Sequence, residues 1–287
     1  MLNYRRTVSD LCRQYPEGEA RALARWLFEE CFEMSQTDLL LDKDNHLSAH
    51  DLDKLQEIVG RLLHHEPIQY ILGHTTFCGH RLLVAPGALV PRPETEQLVG
   101  HILASLQSAE SPAGAFRGTV LDVGTGSGCI ALSLALALPE SSVTGWDVSP
   151  EALAVARRNA DLYPQAKLVL EQCDILCPPP TDRRWDLVVS NPPYVRRSEA
   201  AEMEHNVLDH EPHVALFVPD DDALRFYRAI ALFAQAHLND GGQLWFEINR
   251  ALGAETAQLV GELGFTAVEV VDDTFGNPRF IKAIRKE

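Results

Sequence analysis

The chain is short of positive charge: 25 Lys and Arg stand against 41 Asp and Glu, a formal net charge of −16 with His neutral. Nucleic-acid surfaces draw most of their non-specific affinity from neutralised phosphates, and anionic membranes call for similar basic patches, so this balance argues against both as direct partners. Long apolar runs are missing too. The longest, Cys129–Leu138, is broken by Ser133 and falls well short of the roughly 20 residues of a membrane-spanning helix. Arg5 and Arg6 have no apolar stretch behind them, so the N-terminus does not read as a secretory signal. The six cysteines, at 12, 31, 78, 129, 173 and 177, form no paired framework. Neither Cys173 and Cys177 nor His46 and His50 has a second pair at zinc-site spacing. These absences predict a cytoplasmic protein with no metal centre and no membrane partner.

What is present divides the chain. From Tyr4 to His65 apolar residues recur at helical spacing, with one stripe of Leu23, Trp26, Leu27 and Cys31 and another of Leu52, Leu55, Val59 and Leu62. Ser48, with Asp51 three residues on, is a capping pair for the second stripe, and Glu66-Pro67 is expected to end that helix. Thr75–Val84 reads as a short hairpin about a Cys-Gly turn, and Ser108–Gly118 is the loosest stretch of the first half.

Beyond it, short apolar runs alternate with helical segments. Strands are expected at Thr119–Asp122, Ser142–Asp147, Lys167–Gln172, Trp185–Ser190 and Gln243–Ile248, then, after a helix, near Phe265–Val270 and Arg279–Ile284. Ser149-Pro150 marks the start of a helix over Glu151–Asn159. The implied fold class is α/β, a doubly wound, mostly parallel sheet. A small N-terminal helical bundle over residues 1–74 and a bridging hairpin over residues 75–90 precede this domain, residues 91–287.

Two loops carry the chemistry. Asp122-Val123-Gly124-Thr125-Gly126-Ser127-Gly128 ends the first strand and opens a helix. Its glycines allow a sharp turn and close approach to a ligand, and helix N-terminal amides favour an anionic group. Asp147 ends the second strand, where doubly wound sheets place an acid on ribose hydroxyls. Asp174, after the third strand, lies on the same edge in reach of an adenine amino group, with Ile175 to pack on the ring. The dinucleotide fingerprint wants its third glycine where Cys129 stands, which counts against NAD and a dehydrogenase. Gly124, Gly126 and Gly128 instead resemble the cofactor loop of class I S-adenosylmethionine-dependent methyltransferases, in which it lies under the methionine part.

Ser190-Asn191-Pro192-Pro193-Tyr194 follows the fourth strand on the same edge. The prolines stiffen the backbone and remove N–H donors, leaving the Asn191 side-chain oxygen and the Pro192 carbonyl as acceptors for a planar NH2 group. Tyr194 is placed to stack on that group. The Asn-Pro-Pro-Tyr form is similar to that of methyltransferases acting on adenine amines or glutamine amides. Further segments favour the amide. Glu66-Pro67-Ile68-Gln69-Tyr70, Gly73, Phe77, Leu89–Glu96, Glu211-Pro212 and Asp273–Arg279 resemble the release factor glutamine methyltransferases, a likeness over nearly the whole chain.

The resemblance implies a seven-stranded methyltransferase sheet and methyl transfer from S-adenosylmethionine to the amide nitrogen (N5) of the glutamine in the Gly-Gly-Gln motif of peptide chain release factors. It also implies that Asn191 and Pro192 hold that amide and that the helical domain holds the protein substrate. The chain departs from the family where Glu247 is followed by Ile248-Asn249-Arg250, in place of a small or His-Gly pair, and at Thr274-Phe275. A glutamine of a ribosomal protein, adenine-N6 methylation of nucleic acid and a module that only senses the cofactor are the competing expectations.

Overall fold

In a computed structural model, which describes residues 3–41, 43–106 and 115–286, the chain forms two compact units. One comprises Met1–His74 with Glu204–His210, the other Thr75–Met203 with Glu211–Glu287. Residues 108–114 of the Ser108–Gly118 stretch lie outside the described residues, as does the side chain of His46.

The first unit is helical: α1 (Tyr4–Leu11), α2 (Glu17–Phe32), α3 (Gln36–Leu40), α4 (Ala49–Leu63) and α5 (Ile68–Leu72). Asn3, Ser35 and Ser48 start α1, α3 and α4 with side-chain oxygens that accept from the amides of Arg6, Asp38 and Asp51. Along α2 the buried face runs through Ala20, Ala24, Leu27 and Phe28. Leu23, Trp26 and Cys31 flank it half-buried, so the stripe is rotated from the one the large residues alone suggest. The end of α4 also differs from expectation. It stops at Leu63, before Glu66-Pro67, because His65 takes a left-handed φ of 60°. The amides of His65 and Glu66 then bond back to the carbonyls of Leu62 and Arg61, a Schellman closure. Pro67 instead precedes α5, where its missing N–H leaves nothing unsatisfied.

The second unit opens with a hairpin, β1 (His74–Phe77) and β2 (His80–Leu83). Cys78 and Gly79 both have positive φ, 49° and 77°, as a two-residue turn of this hand requires. Phe77 and Leu82 are buried in the core of this unit, which makes the hairpin part of it. The chain continues through α6 (Pro93–Ser105), β3 (Thr119–Val123), α7 (Cys129–Ala137), β4 (Ser142–Asp147), α8 (Pro150–Asp161), β5 (Leu168–Gln172) and β6 (Trp185–Ser190). Then come β7 (Val195–Arg196), α9 (His205–Leu208), which belongs to the first unit, α10 (His213–Leu216), β8 (Phe217–Val218) and α11 (Arg225–His237). β9 (Leu238–Glu247), α12 (Gly253–Glu262), β10 (Phe265–Asp272) and β11 (Pro278–Arg285) complete it.

Seven strands form one sheet in the order β5-β4-β3-β6-β9-β11-β10, parallel except that β11 runs antiparallel to both neighbours. Side chains alternate between two buried faces. Val120, Leu187, Val189 and Trp245 pack with residues of α6 and α7. Leu121, Val123, Val188 and Phe246 pack with those of α11 and α12. α7 is apolar all round and buried without a break from Ile130 to Ala135, which explains the longest apolar run without a membrane. Among the described residues no helix is long and apolar enough to cross one.

The chain steps outward from β3 to β4 and β5, then returns to β6 on the other side of β3. Loops after β3 and β6 therefore diverge and leave a crevice at the strand ends. Ser149 Oγ accepts from the Ala152 amide and Pro150 opens α8, as the sequence suggests. Asn159, fully buried on α8, accepts from the Leu83 amide at 2.6 Å and donates to the carbonyls of Leu83 and Ser127 at 3.0 and 2.9 Å. One amide thus fastens the hairpin and the glycine loop to the same helix. Asn159→Ala strips all three bonds and should lower the unfolding free energy by roughly 2–4 kcal/mol, read from urea denaturation.

Candidate active site

The loop after β3 needs its glycines. Gly124, Gly126 and Gly128 have φ of 73°, 59° and 81°, a region other residues enter at a cost. The amides of Gly124 and Thr125 both donate to the Trp146 carbonyl at 2.8 Å, so the turn rests on the end of β4. A Cβ on Gly145 of β4 would lie 2.8 Å from Thr125 Oγ1, so a glycine there gives the loop its room.

Asp122 holds the turn from below. It is fully buried, and its Oδ2 accepts from Thr125 Oγ1 at 2.6 Å and from the Ala131 amide at 3.2 Å. The Ala131 amide in the first turn of α7 is therefore taken by the protein itself. Oδ1 has no partner, and burial pushes the carboxyl up to about 7. Asp147 closes the turn from the side: its Oδ2 accepts from the Gly126 amide at 2.8 Å and its Oδ1 from the Ser149 amide at 2.9 Å. Burial raises Asp147 as well, and these backbone bonds oppose the shift.

A cleft lies at the crevice. Gly124, Thr125, Gly126 and Ser127 line it, with Asp147, Asp174, Ile175, Asn191, Pro192 and Pro193. Asp122, Gly128 and Tyr194 do not. Asp174 Oδ1 accepts from the Leu176 amide at 2.9 Å, which fixes the carboxylate after β5 beside the buried Ile175.

The turn at the end of β6 is tied down at Ser190, Asn191 and Tyr194. Ser190 Oγ donates to the Val123 carbonyl at 2.6 Å. Asn191 Nδ2 donates to Thr95 Oγ1 at 3.2 Å, and Thr95 Oγ1 donates to Glu247 Oε2 at 2.7 Å. Tyr194 does not offer its ring to the cleft, because it packs on the sheet core and its hydroxyl donates to Glu247 Oε1 at 3.4 Å. Burial, then the neighbouring Glu247, hold this phenol above its ordinary range. Burial also pushes Glu247 up to about 7.

Across the cleft, buried Glu211 accepts from Arg92 and, at 3.0 Å, from the Val90 amide, pinning Leu89–Arg92 to the wall. Sequence reasoning gave no role to Thr95, Arg92 or Glu211. Their only signal was membership of the segments that resemble the family, since Thr95 and Glu247 lie 152 positions apart and Arg92 and Glu211 lie 119 apart.

Two family descriptions match the chain: the PrmC N-terminal domain over residues 4–73 and the methyltransferase small domain over residues 101–214. A release factor glutamine methyltransferase of Bacteroides thetaiotaomicron is 42% identical over 282 residues, covering 98% of this chain and 97% of its own. The chain belongs to the release factor glutamine methyltransferases. A second member of the family, from Flavobacterium psychrophilum, is 41% identical over 98% of this chain and 97% of its own. The sheet architecture is shared more widely: the 16S rRNA N2 G1207 methyltransferase of T. thermophilus, solved in complex with AdoMet and guanosine, superposes with a TM-score of 0.54. It is 18% identical, over 74% of this chain and 50% of that one.

The buried carboxyls of this family member link its stability to pH. Asp122 and Glu247 are raised to about 7 from 3.8 and 4.5, and Asp147 and Glu211 are raised too. The unfolded chain therefore releases protons that the folded chain still holds. The contribution of these four groups to stability is fully present below about pH 4 and is lost as pH rises towards 7, by about 1.4 kcal/mol per pH unit for each full proton. Urea midpoints should fall between pH 5 and 7, and Asp122→Asn should make that slope shallower.

Proposed function

We propose that the protein transfers a methyl group from S-adenosylmethionine to N5 of the glutamine in the Gly-Gly-Gln motif of peptide chain release factors. The observation that carries this is the juxtaposition of Asn191 and Pro192 with Gly124–Ser127 on one cleft of a family member. The donor set suits the cofactor: a turn of glycines, carboxylates on successive strand ends at Asp147 and Asp174, and an apolar wall at Ile175 and Ile230. Asp147 would take ribose hydroxyls, Asp174 and Ile175 the adenine, and Gly124–Ser127 the methionine part, with Asp122 and Gly128 shaping the turn. When bound, S-adenosylmethionine supplies an electrophilic sulfonium methyl.

An amide nitrogen is a weak nucleophile because its lone pair is spread into the carbonyl. Alignment is then worth more than a strong base. Asn191 Oδ1 and the Pro192 carbonyl accept the two N–H bonds and fix the nitrogen. As positive charge develops there, these oxygens stabilise it. Asn191 takes no proton itself; one N–H proton passes from the nitrogen to solvent water once that charge has formed. Pro193 keeps the backbone free of donors, and Tyr194 holds the turn from behind.

We assign residues 1–74 to recognition of the protein substrate, residues 75–90 to the connection and residues 91–287 to methyl transfer, in the cytoplasm. The net charge of −16 supports a protein partner over nucleic acid. Mass spectrometry of an unmodified release factor incubated with the protein and S-adenosylmethionine should show one added methyl on that glutamine, and none where the glutamine is substituted. An unchanged mass with the cofactor still bound would overturn the substrate. Asn191→Ala should slow turnover by about a hundredfold or more with cofactor affinity held within a few-fold, as loss of one transition-state contact does. Asp147→Ala should weaken cofactor binding, measured by calorimetry, by roughly ten- to a hundredfold.

A further inference from the structure

A primary amide has two faces, and only one of them serves this site. If the Asn191 oxygen faces the substrate, it accepts an N–H; if the nitrogen does, two NH2 groups oppose each other. Nothing within the Asn-Pro-Pro-Tyr sequence selects between these states. The surrounding bonds do. Thr95 has one hydroxyl proton, and it goes to Glu247 Oε2 at 2.7 Å. Thr95 Oγ1 is then only an acceptor towards Asn191, whose Nδ2 lies 3.2 Å away. The Asn191 nitrogen is thereby held on the Thr95 side and its oxygen is left for the cleft.

We propose that Glu247, acting through Thr95, is the positioning residue that locks the Asn191 amide with its oxygen towards the substrate amide. This rests on the methyl transfer proposed above. Glu247 sits at the end of β9 and is 2% exposed. It is also faced by Tyr194 after β6, Glu94 of α6 and Arg279 of β11, while Tyr227 of α11 donates to its backbone carbonyl at 3.3 Å. Both tyrosines remain protonated donors, so the ionised carboxylate accepts from Thr95 and Tyr194 while the backbone carbonyl accepts from Tyr227.

Protonation reverses the chain of donors. A carboxylic acid on Glu247 donates to Thr95, frees the Thr95 proton for Asn191 Oδ1, and turns the Asn191 nitrogen into the cleft. Burial sets this event near pH 7. Turnover should therefore rise with pH through an acid limb that belongs to Glu247.

The test is single-turnover methylation of a release factor from pH 6 to 8.5, with S-adenosylmethionine affinity measured alongside to show folded protein. Thr95→Val, equal in shape but without the hydroxyl, should slow the methylation step by about ten- to a hundredfold, with substrate KM and cofactor affinity within a few-fold of the parent. Thr95→Ser should recover most of that loss. Glu247→Gln, neutral at every pH, should flatten the acid limb. A parent rate in Thr95→Val, or an unchanged limb in Glu247→Gln, overturns the positioning role while leaving release factor methylation standing. If the unsubstituted protein places no methyl on the release factor, the functional reading falls first and this inference falls with it.

Discussion

The bond from Ser190 Oγ to the Val123 carbonyl, 2.6 Å long and fully buried, joins the last residues of β3 and β6 where the two strands stop pairing and their loops part. Val123 stands opposite Ser190 in the parallel register, so the glycine loop and Asn191 leave the sheet side by side. Without the serine hydroxyl a buried carbonyl would lose its partner at the point where the crevice opens. The separation of the two loops is set here, by strand register, before any cleft side chain contributes. Alignment within a few tenths of an ångström is what an amide methylation needs, and a parallel sheet with both faces buried supplies the stiffness.

Two acids in the second unit are kept where water cannot reach them. Asp122 and Glu247 are each buried and raised to about 7, which makes each a drain on stability at neutral pH. Their value lies in being acceptors that hold several donors in one arrangement. Asp122 gathers Thr125 and Ala131 under the glycine turn, and Glu247 gathers Thr95 and Tyr194 behind the Asn-Pro-Pro-Tyr turn. The same design appears at Glu211, which holds Arg92 and the Val90 amide. Around this cleft the open space is touched by glycines, prolines and aliphatic side chains, with Arg92, Asp147 and Asp174 among them. Asp122, Glu211 and Glu247 stand one layer back, where they cost most and constrain most.

That layering explains what was legible in the sequence. Strands, the glycine turn and the Asn-Pro-Pro-Tyr turn are local patterns, read from alternation, glycine spacing and proline stiffness, and seven strands fall close to where those patterns put them. The second layer is built from pairs that no period connects. Thr95 on α6 meets Glu247 on β9 only because the sheet order sets those elements side by side. Asp122 and Tyr194 lie within the motifs, yet adjacency in the motif did not reveal that both turn away from the cleft. The end of α4 was missed for a smaller reason: a histidine took the left-handed closing position that glycine usually signals.

A planar NH2 group is common to a glutamine amide and to adenine, so the two oxygens proposed to hold it, at Asn191 and Pro192, would orient either one equally well. Selectivity has to come from walls that the two substrates meet differently. An adenine ring demands a flat slot beside the amino group, whereas a glutamine reaches the cleft on a thin, flexible stem. Tyr194, the ring best placed in the sequence to form such a slot, is committed to Glu247 and the sheet core and does not line the cleft. Phe226 is the aromatic ring among the lining residues, whereas the Gly87–Arg92 segment, held by Glu211, lines the cleft with aliphatic residues and Pro91 rather than an aromatic face. Walls of that kind surround a stem better than they stack on a base, which is the physical sense in which this cleft suits an amide.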